Sequence, residues 1–242
     1  MTIIYEWLAS HSEALFGFLG VIIGGFITFF IQLHFWKKNK FEKNKTNYTL
    51  ATNELVRVCS EQSVLLEALT RHFPEQEPEV LLNTVMPNFS TSMKAANFET
   101  EKLISLLIKG KTFFDEIQLA FYRYNSSLEL FSNYIIAREK LEPYKKIEAL
   151  HLNRNSISMI FDPSNPNFVI TFLNAENMLR ALITQLNQNI IDCRKLLEEM
   201  SEFSYSRYKT KCELSKALEF PSYISDLIEL TPSDLPPFKK EI

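Results

Sequence analysis

Residues 14–36 read ALFGFLGVIIGGFITFFIQLHFW, with no Lys, Arg, Asp or Glu among them. At about 1.5 Å rise per residue, a helix over this stretch spans ~34 Å, enough to cross the hydrocarbon core of a bilayer with some tilt. Four of the five glycines of the chain, Gly17, Gly20, Gly24 and Gly25, fall inside it. A soluble core helix seldom carries so many, whereas a membrane helix uses them to approach another helix closely. The stretch therefore predicts a transmembrane helix. Gly20, Gly24, Thr28 and Gln32 recur every four residues and share one face. They are the candidate contact between two such helices, with Gln32 able to hydrogen-bond across it.

Residues 1–13 contain Glu6 and Glu13 but no Lys or Arg, so they lack the basic region of a secretory signal, and the span is expected to persist. Trp7 and Trp36, the only tryptophans, bracket it at the depths favoured by interfacial aromatics. Immediately after it stand Lys37, Lys38, Lys40, Lys43 and Lys45 against a single Glu42. Under the positive-inside rule this end is cytoplasmic and the N-terminus lies outside. The same lysines can attract anionic headgroups, at about 1 kcal/mol for each basic residue near the surface. From Thr46 to Ile242 there remain 21 basic and 26 acidic side chains, a net charge of −5, which argues against nucleic acid as a partner.

Only Gly110 follows Gly25, so the remainder lacks the turn chemistry of a many-stranded β fold. Prolines cluster between long Pro-free segments, which are the expected helices. The first runs from about Lys38 to Phe73, either separate from the membrane helix or continuous with it, with Tyr48, Ala51, Leu55, Val58, Cys59, Leu65, Leu66, Leu69 and Phe73 in its stripe and Gln62 interrupting it. A second is expected from Thr91 or Ser92 through Met93, Ala96, Thr100, Leu103 and Leu107 to a C-terminal Gly110. The third starts at Thr112, with Asp115 completing an acidic capping box, and carries Phe114, Ile117, Phe121, Tyr124, Leu128, Phe131 and Ile135. The last opens on Asn165-Pro166 and runs through Phe168, Phe172, Ala175, Leu179, Leu182, Leu186, Cys193, Leu196 and Met200 to a bend or end near SEFSYSRY. Phe121, Leu128 and Leu186, each mid-stripe, are expected to share one core.

The expected class is all-α: one N-terminal membrane helix, then a cytoplasmic antiparallel bundle of about four long helices. The segments are 1–13 outside, 14–36 in the membrane, 37–220 as the bundle and 221–242 as a Pro-rich tail, either a peptide for a partner groove or a strap over its own bundle. Amides at Asn174, Asn177, Gln185, Asn187, Gln188 and Asn189 suggest a polar pocket or a solvated face, with one or two buried to fix register.

No P-loop, GxGxxG, HExxH, GxSxG, EF-hand loop or CxxC pair occurs. No catalytic, cofactor-binding or metal-ligating residue is therefore assigned, and no cofactor is expected. Cys59, Cys193 and Cys212 are too dispersed for a disulfide framework and read as reduced thiols. The expected role is a non-enzymatic interaction or scaffold module at the membrane, in contact with lipid, holding a cytoplasmic protein or assembling with itself. The alternative is a membrane-perturbing effector of toxin or phage-defence type, acting through oligomerised membrane helices.

Overall fold

The computed structural model describes residues 12–71, 73–83, 93–97, 107–108, 111–144, 165–209 and 220–235. Among them are three α-helices: α1 (Ser12–Thr70), α2 (Phe114–Glu139) and α3 (Pro166–Tyr208). The protein is thus all-α, with one apolar N-terminal helix leading into a helical region. Two compact units are distinguished, Met1–Thr49 and Leu50–Ile242.

In the first unit, α1 carries an 18-residue window of mean hydropathy 2.1, none of it buried. Phe16 and Val21 are 74% and 75% exposed. A helix of that apolarity, with none of the window buried among the described residues, is long and apolar enough to cross a membrane and is consistent with membrane anchoring.

In the second unit the apolar stripes turn inward. Ala51, Leu55, Val58, Leu65, Leu66 and Leu69 of α1 are buried, as is Gln62 between them. On α3 the buried face holds Phe168, Phe172, Ala175, Leu179, Leu182, Leu186, Cys193, Leu196 and Met200, with Asn189 in the same seam. Asn165 caps this helix, its Oδ1 accepting from the Asn167 N–H at 3.0 Å, and Pro166 fills the first turn, where no N–H is needed. The helix ends at Lys209, whose φ of 56° places it in the left-handed region, so α3 runs through SEFSYSRY and stops just after it.

On α2 the buried positions are Ile117, Phe121, Tyr124, Ser127, Phe131, Tyr134 and Ala137. Leu128 and Ile135 are only partly buried. Ser127 and Tyr134 take buried positions instead, Ser127 accepting a hydrogen bond from Asn189 of α3 at 3.1 Å. Phe121 and Leu186 are buried, and Leu128 is half-buried.

The region expected as the second long helix differs. Residues 93–97 have no regular structure, and Leu107–Ile108 pairs antiparallel with Lys111–Thr112 as β1 and β2. Thr112 therefore belongs to a strand, and the residue capping α2 is Phe113, which makes no side-chain cap hydrogen bond. Thr91, Ser92, Thr100, Leu103 and Gly110 lie outside the described residues. The physical reason for the departure at 93–97 is tertiary: Asn125 of α2 accepts from the Ala96 N–H at 2.8 Å and donates to its carbonyl at 3.0 Å. The backbone is satisfied from outside the segment and needs no helix of its own.

Two further segments are fastened to α3. Val80 and Leu81, next to the short 3-10 turn Leu81–Asn83, bury their side chains. Val80 joins Ala137, Leu141, Phe168, Phe172 and Ala175 in one cluster. The strap, residues 220–235, contains the 3-10 turn Ser222–Asp226 and lies on the helical region, with Ile224 fully buried. Of the two roles expected for the tail, this part adopts the strap.

Candidate functional site

Each unit presents an open surface among the described residues. In the first unit, Gly20 and Gly24 have nothing within 4 Å of where a side chain would start, among the described residues. Thr28 donates to the Gly24 carbonyl at 2.8 Å, within the helix. Gln32 on the same face is exposed. The face is therefore free of any described neighbour. Lys37, Lys38, Lys40 and Lys43 are exposed and Lys45 half-buried. The Lys40 ammonium stands 5.0 Å from the centre of the Trp36 ring, and a cation over that face is stabilised electrostatically. Trp7 and residues 1–11 lie outside the described residues.

In the second unit, a groove of about 680 Å³ runs along α3. Its walls include Asn174, Asn177, Thr184, Gln185, Gln188 and Asn189 of α3, Arg123 of α2, and Leu227 and Glu229 of the strap. Five of the six amides singled out in the sequence thus line one groove, and they do not all do the same work. Asn189 is buried and donates to the Ser127 hydroxyl at 3.1 Å, joining α3 to α2. Asn177 is spent on the strap: its Nδ2 donates to the Leu230 carbonyl at 2.8 Å and its Oδ1 accepts from the Leu230 N–H at 2.7 Å. Gln188 donates to Asp192 at 3.0 Å, and Asp192 pairs with Arg123 at 2.5 Å. The Thr184 hydroxyl is buried with no hydrogen-bond partner among the described residues. A smaller cleft of about 270 Å³ shares Arg123 and Asn189 and is edged by Glu116, Asp192, Lys195 and Glu199.

An ionic network whose members the amphipathic pattern did not mark out reaches the groove through Arg180, one of its lining residues. The Glu176 carboxylate, fully buried, accepts from the N–H groups of Leu81 and Leu82, each at 2.9 Å, and from Arg180 at 2.9 Å. Arg180, 3% exposed, also donates to Glu77 at 2.5 Å and to the Glu79 carbonyl at 3.2 Å. Both charges are compensated, as burial requires. The available signal was positional: 172, 176 and 180 are one helix face, so an acid and a base on the stripe begun by Phe172 had to be paired.

A second network joins α1 to α2. Arg57 pairs with Glu54 and Glu61, each at 2.7 Å, donates to the Lys94 carbonyl at 3.3 Å, and lies 5.7 Å from the centre of the Tyr124 ring. The Glu54 hydrogen bond is foremost in holding Arg57 protonated, above its already high ordinary value. The Tyr124 hydroxyl donates to Glu61, with the Lys94 carbonyl also within reach at 3.0 Å. Burial first, and Glu61 second, push this phenol up to about 12. Burial pushes the Cys193 thiol up to about 12 as well, with Cys59 adding to the effect, and burial also raises Cys59. Both thiols are buried and free. At neutral pH they are protonated and unreactive, the opposite of an activated nucleophile.

Among the described residues no group of three or more His, Cys, Asp or Glu side chains converges as a metal site. No family model, curated protein or solved structure matches the chain.

Proposed function

We propose that this protein is a membrane-anchored, non-enzymatic interaction module that holds a cytoplasmic protein or assembles with itself at the bilayer surface. The observation that carries it is the exposed apolar half of α1: its 18-residue window of mean hydropathy 2.1 has no described neighbour to bury it, and lipid is the solvent that accepts such a surface. Lys37, Lys38, Lys40, Lys43 and Lys45 support an orientation with the N-terminus outside and the helical region in the cytoplasm, and give the anchor a contact with anionic headgroups. The absence of nucleotide, hydrolase and metal motifs from the sequence supports the non-enzymatic part. The α3 groove supplies the interaction surface, because its amides offer donors and acceptors without a net charge.

The test is in-cell cross-linking of the full chain, followed by detergent extraction and identification of neighbours. A defined neighbour, or the chain itself, captured by the native protein and lost in the groove variant Asn174→Arg with Gln188→Glu, is the expected result. Capture that is indifferent to both substitutions removes the groove from the proposal. A chain recovered in the soluble fraction removes the anchor.

The open face of Gly20, Gly24, Thr28 and Gln32 favours a second reading, in which assembled membrane helices perturb the bilayer. Dye leakage from vesicles loaded with the full chain distinguishes the two: a scaffold leaves them sealed.

A further inference from the structure

The smaller cleft, of about 270 Å³, runs along the α2–α3 seam. Towards one end Arg123 meets Asp192 at 2.5 Å and Asn189 meets Ser127 at 3.1 Å; towards the other the rings of Phe113 and Phe203 stand 5.5 Å apart. On α3 its lining extends from Asn189 to Glu199, roughly 15 Å of helix, so the space is long for its volume. At about 30 Å³ for each water, it has room for roughly nine atoms of that size. Leu119, Ala120 and Leu196 give it an apolar wall, with Leu119 left 47% exposed. Its charged lining, Glu116, Asp192 and Glu199 against Arg123 and Lys195, sums to −1. Arg123 and Asp192 neutralise each other, and Glu199 has an interaction of its own. Lys195 and Glu116, one on each helix, are exposed and have no ion-pair partner among the described residues. Asn189 is 4% exposed; its Nδ2 is spent on the Ser127 hydroxyl, and its Oδ1 accepts no hydrogen bond among the described residues. A buried amide oxygen left in the wall of a cleft calls for a donor from outside.

We propose that this cleft binds a free basic α-amino acid of the lysine class. Each part of the lining answers one part of such a ligand. The terminal ammonium donates to Asn189 Oδ1, the methylene stem lies on the apolar wall and covers Leu119, the α-carboxylate pairs with Lys195, and the α-ammonium pairs with Glu116. The ligand's net charge of +1 offsets the −1 of the lining. A plain diamine would leave Lys195 unanswered and set two cations beside it. An apolar amino acid would leave the Asn189 oxygen without its donor, the more costly omission because that group is buried. The site shares only Arg123 and Asn189 with the amide-lined groove, and the inference depends neither on the anchor nor on the protein partner proposed above.

The test is titration calorimetry on the full chain in lipid nanodiscs with L-lysine and three analogues, each lacking one group. Norleucine lacks the terminal ammonium, cadaverine the α-carboxylate and 6-aminohexanoate the α-ammonium. Saturable binding of L-lysine is expected, with each analogue weaker by about ten-fold or more, the loss of one charged hydrogen bond. The exposed partners are then removed singly, which leaves the fold intact. Lys195→Met should abolish the preference for L-lysine over cadaverine, and Glu116→Gln the preference over 6-aminohexanoate. Norleucine probes the Asn189 end without disturbing its bond to Ser127. The proposal is overturned if L-lysine gives no saturable heat at millimolar concentration, or if either preference survives its own substitution. It is equally overturned if cadaverine binds the native chain as tightly as L-lysine, since the cleft would then be a site for amines, or if norleucine does, since the Asn189 oxygen would then play no part.

Discussion

Asn177 of α3 and Leu230 of the strap exchange two hydrogen bonds, the amide Nδ2 donating to the Leu230 carbonyl at 2.8 Å and Oδ1 accepting from its N–H at 2.7 Å. A side-chain amide reproduces the donor and acceptor of a neighbouring strand at a single residue, so it can fix an extended segment to a helix that has no free backbone of its own. Asn125 does the same for Ala96. Glu176 gives the acceptor-only version, taking two consecutive N–H groups at Leu81 and Leu82. Three irregular segments are thereby fastened to two helices.

Replacing Asn177 by Asp keeps the acceptor and turns the donor into a second oxygen facing the Leu230 carbonyl. A repulsion replaces a hydrogen bond, and the strap should loosen while the helices persist. Hydrogen exchange at the Leu230 amide is expected to accelerate at least several-fold in Asn177→Asp, with exchange in the centre of α3 unchanged. Unaltered protection at Leu230 would show that Ile224 alone holds the strap.

Glu176→Ala removes the buried partner of Arg180 and the acceptor of two buried N–H groups together. Breaking a buried pair from one side is expected to cost about 3–5 kcal/mol, because the remaining charge stays out of water. Glu176→Gln, which retains one acceptor oxygen, should lose less. Urea denaturation of the detergent-solubilised chain measures both. A loss below about 1 kcal/mol in the alanine variant would mean that water or rearranged side chains reach Arg180.

What the sequence made legible is what depends on local periodicity. The α3 stripe from Phe168 to Met200 is the buried face because each position repeats the spacing of the last. The Asn165-Pro166 start is equally local. The α2 seam was legible in its first half; further on, Ser127 and Tyr134 are buried and Leu128 and Ile135 only half-buried, and the contact of Ser127 with Asn189 is one that periodicity does not record. Residues 93–97 were not legible, since Asn125 and Tyr124 impose their backbone from about 30 positions away and no helical propensity records that. The groove was half legible: its amides stood out, yet their division between register (Asn189), strap (Asn177) and open wall (Asn174, Gln185) is a tertiary fact.

Alkaline pH should destabilise the second unit. Burial pushes Cys193 up to about 12, and pushes Cys59 up from an ordinary 9.0. It also takes Tyr124 and Tyr134 from 10.0 to about 12. The folded chain holds these protons after the unfolded chain has released them. Each group therefore contributes stability that is fully present below its ordinary value and is lost as the pH rises towards the folded value. The decline should begin near pH 9 with the thiols, steepen near pH 10 with the phenols and approach about 1.4 kcal/mol per pH unit for each fully titrating group. Urea midpoints compared near pH 8 and near pH 10.5 test it, and Cys193→Ser should make the fall shallower. A midpoint that stays flat across that window would mean the four groups are reached by solvent.

The proposed orientation, with the N-terminus outside, rests on five lysines after the span and none before it. A reporter enzyme active only outside the cytoplasm, fused after Ile242, should be silent, and the same reporter placed before Met1 should be active. The reverse pattern would put the helical region outside. It would also bring the Asn-x-Ser/Thr triplets at Asn44, Asn47, Asn88 and Asn125, here read as chance matches, into consideration as glycan acceptors.

The face of Gly20, Gly24, Thr28 and Gln32 decides between an anchor and an assembly element. In the single chain nothing described approaches Gly20 or Gly24, and Thr28 turns its hydroxyl back to the Gly24 carbonyl, which leaves the helix surface apolar and shallow at that point. Two such surfaces can close to backbone contact, and Gln32 would then find its partner on the opposing helix, a bond worth roughly 0.6 to 2 kcal/mol in membrane helices. Replacing Gly20 and Gly24 by Leu fills the groove while keeping the span apolar enough to insert. Cross-linked dimers of the full chain should fall by several-fold in the double variant, and Gln32→Leu alone should give a smaller drop. If dimers persist unchanged in both, the glycine face only eases packing against lipid, and the bilayer-perturbing reading loses the observation that favours it.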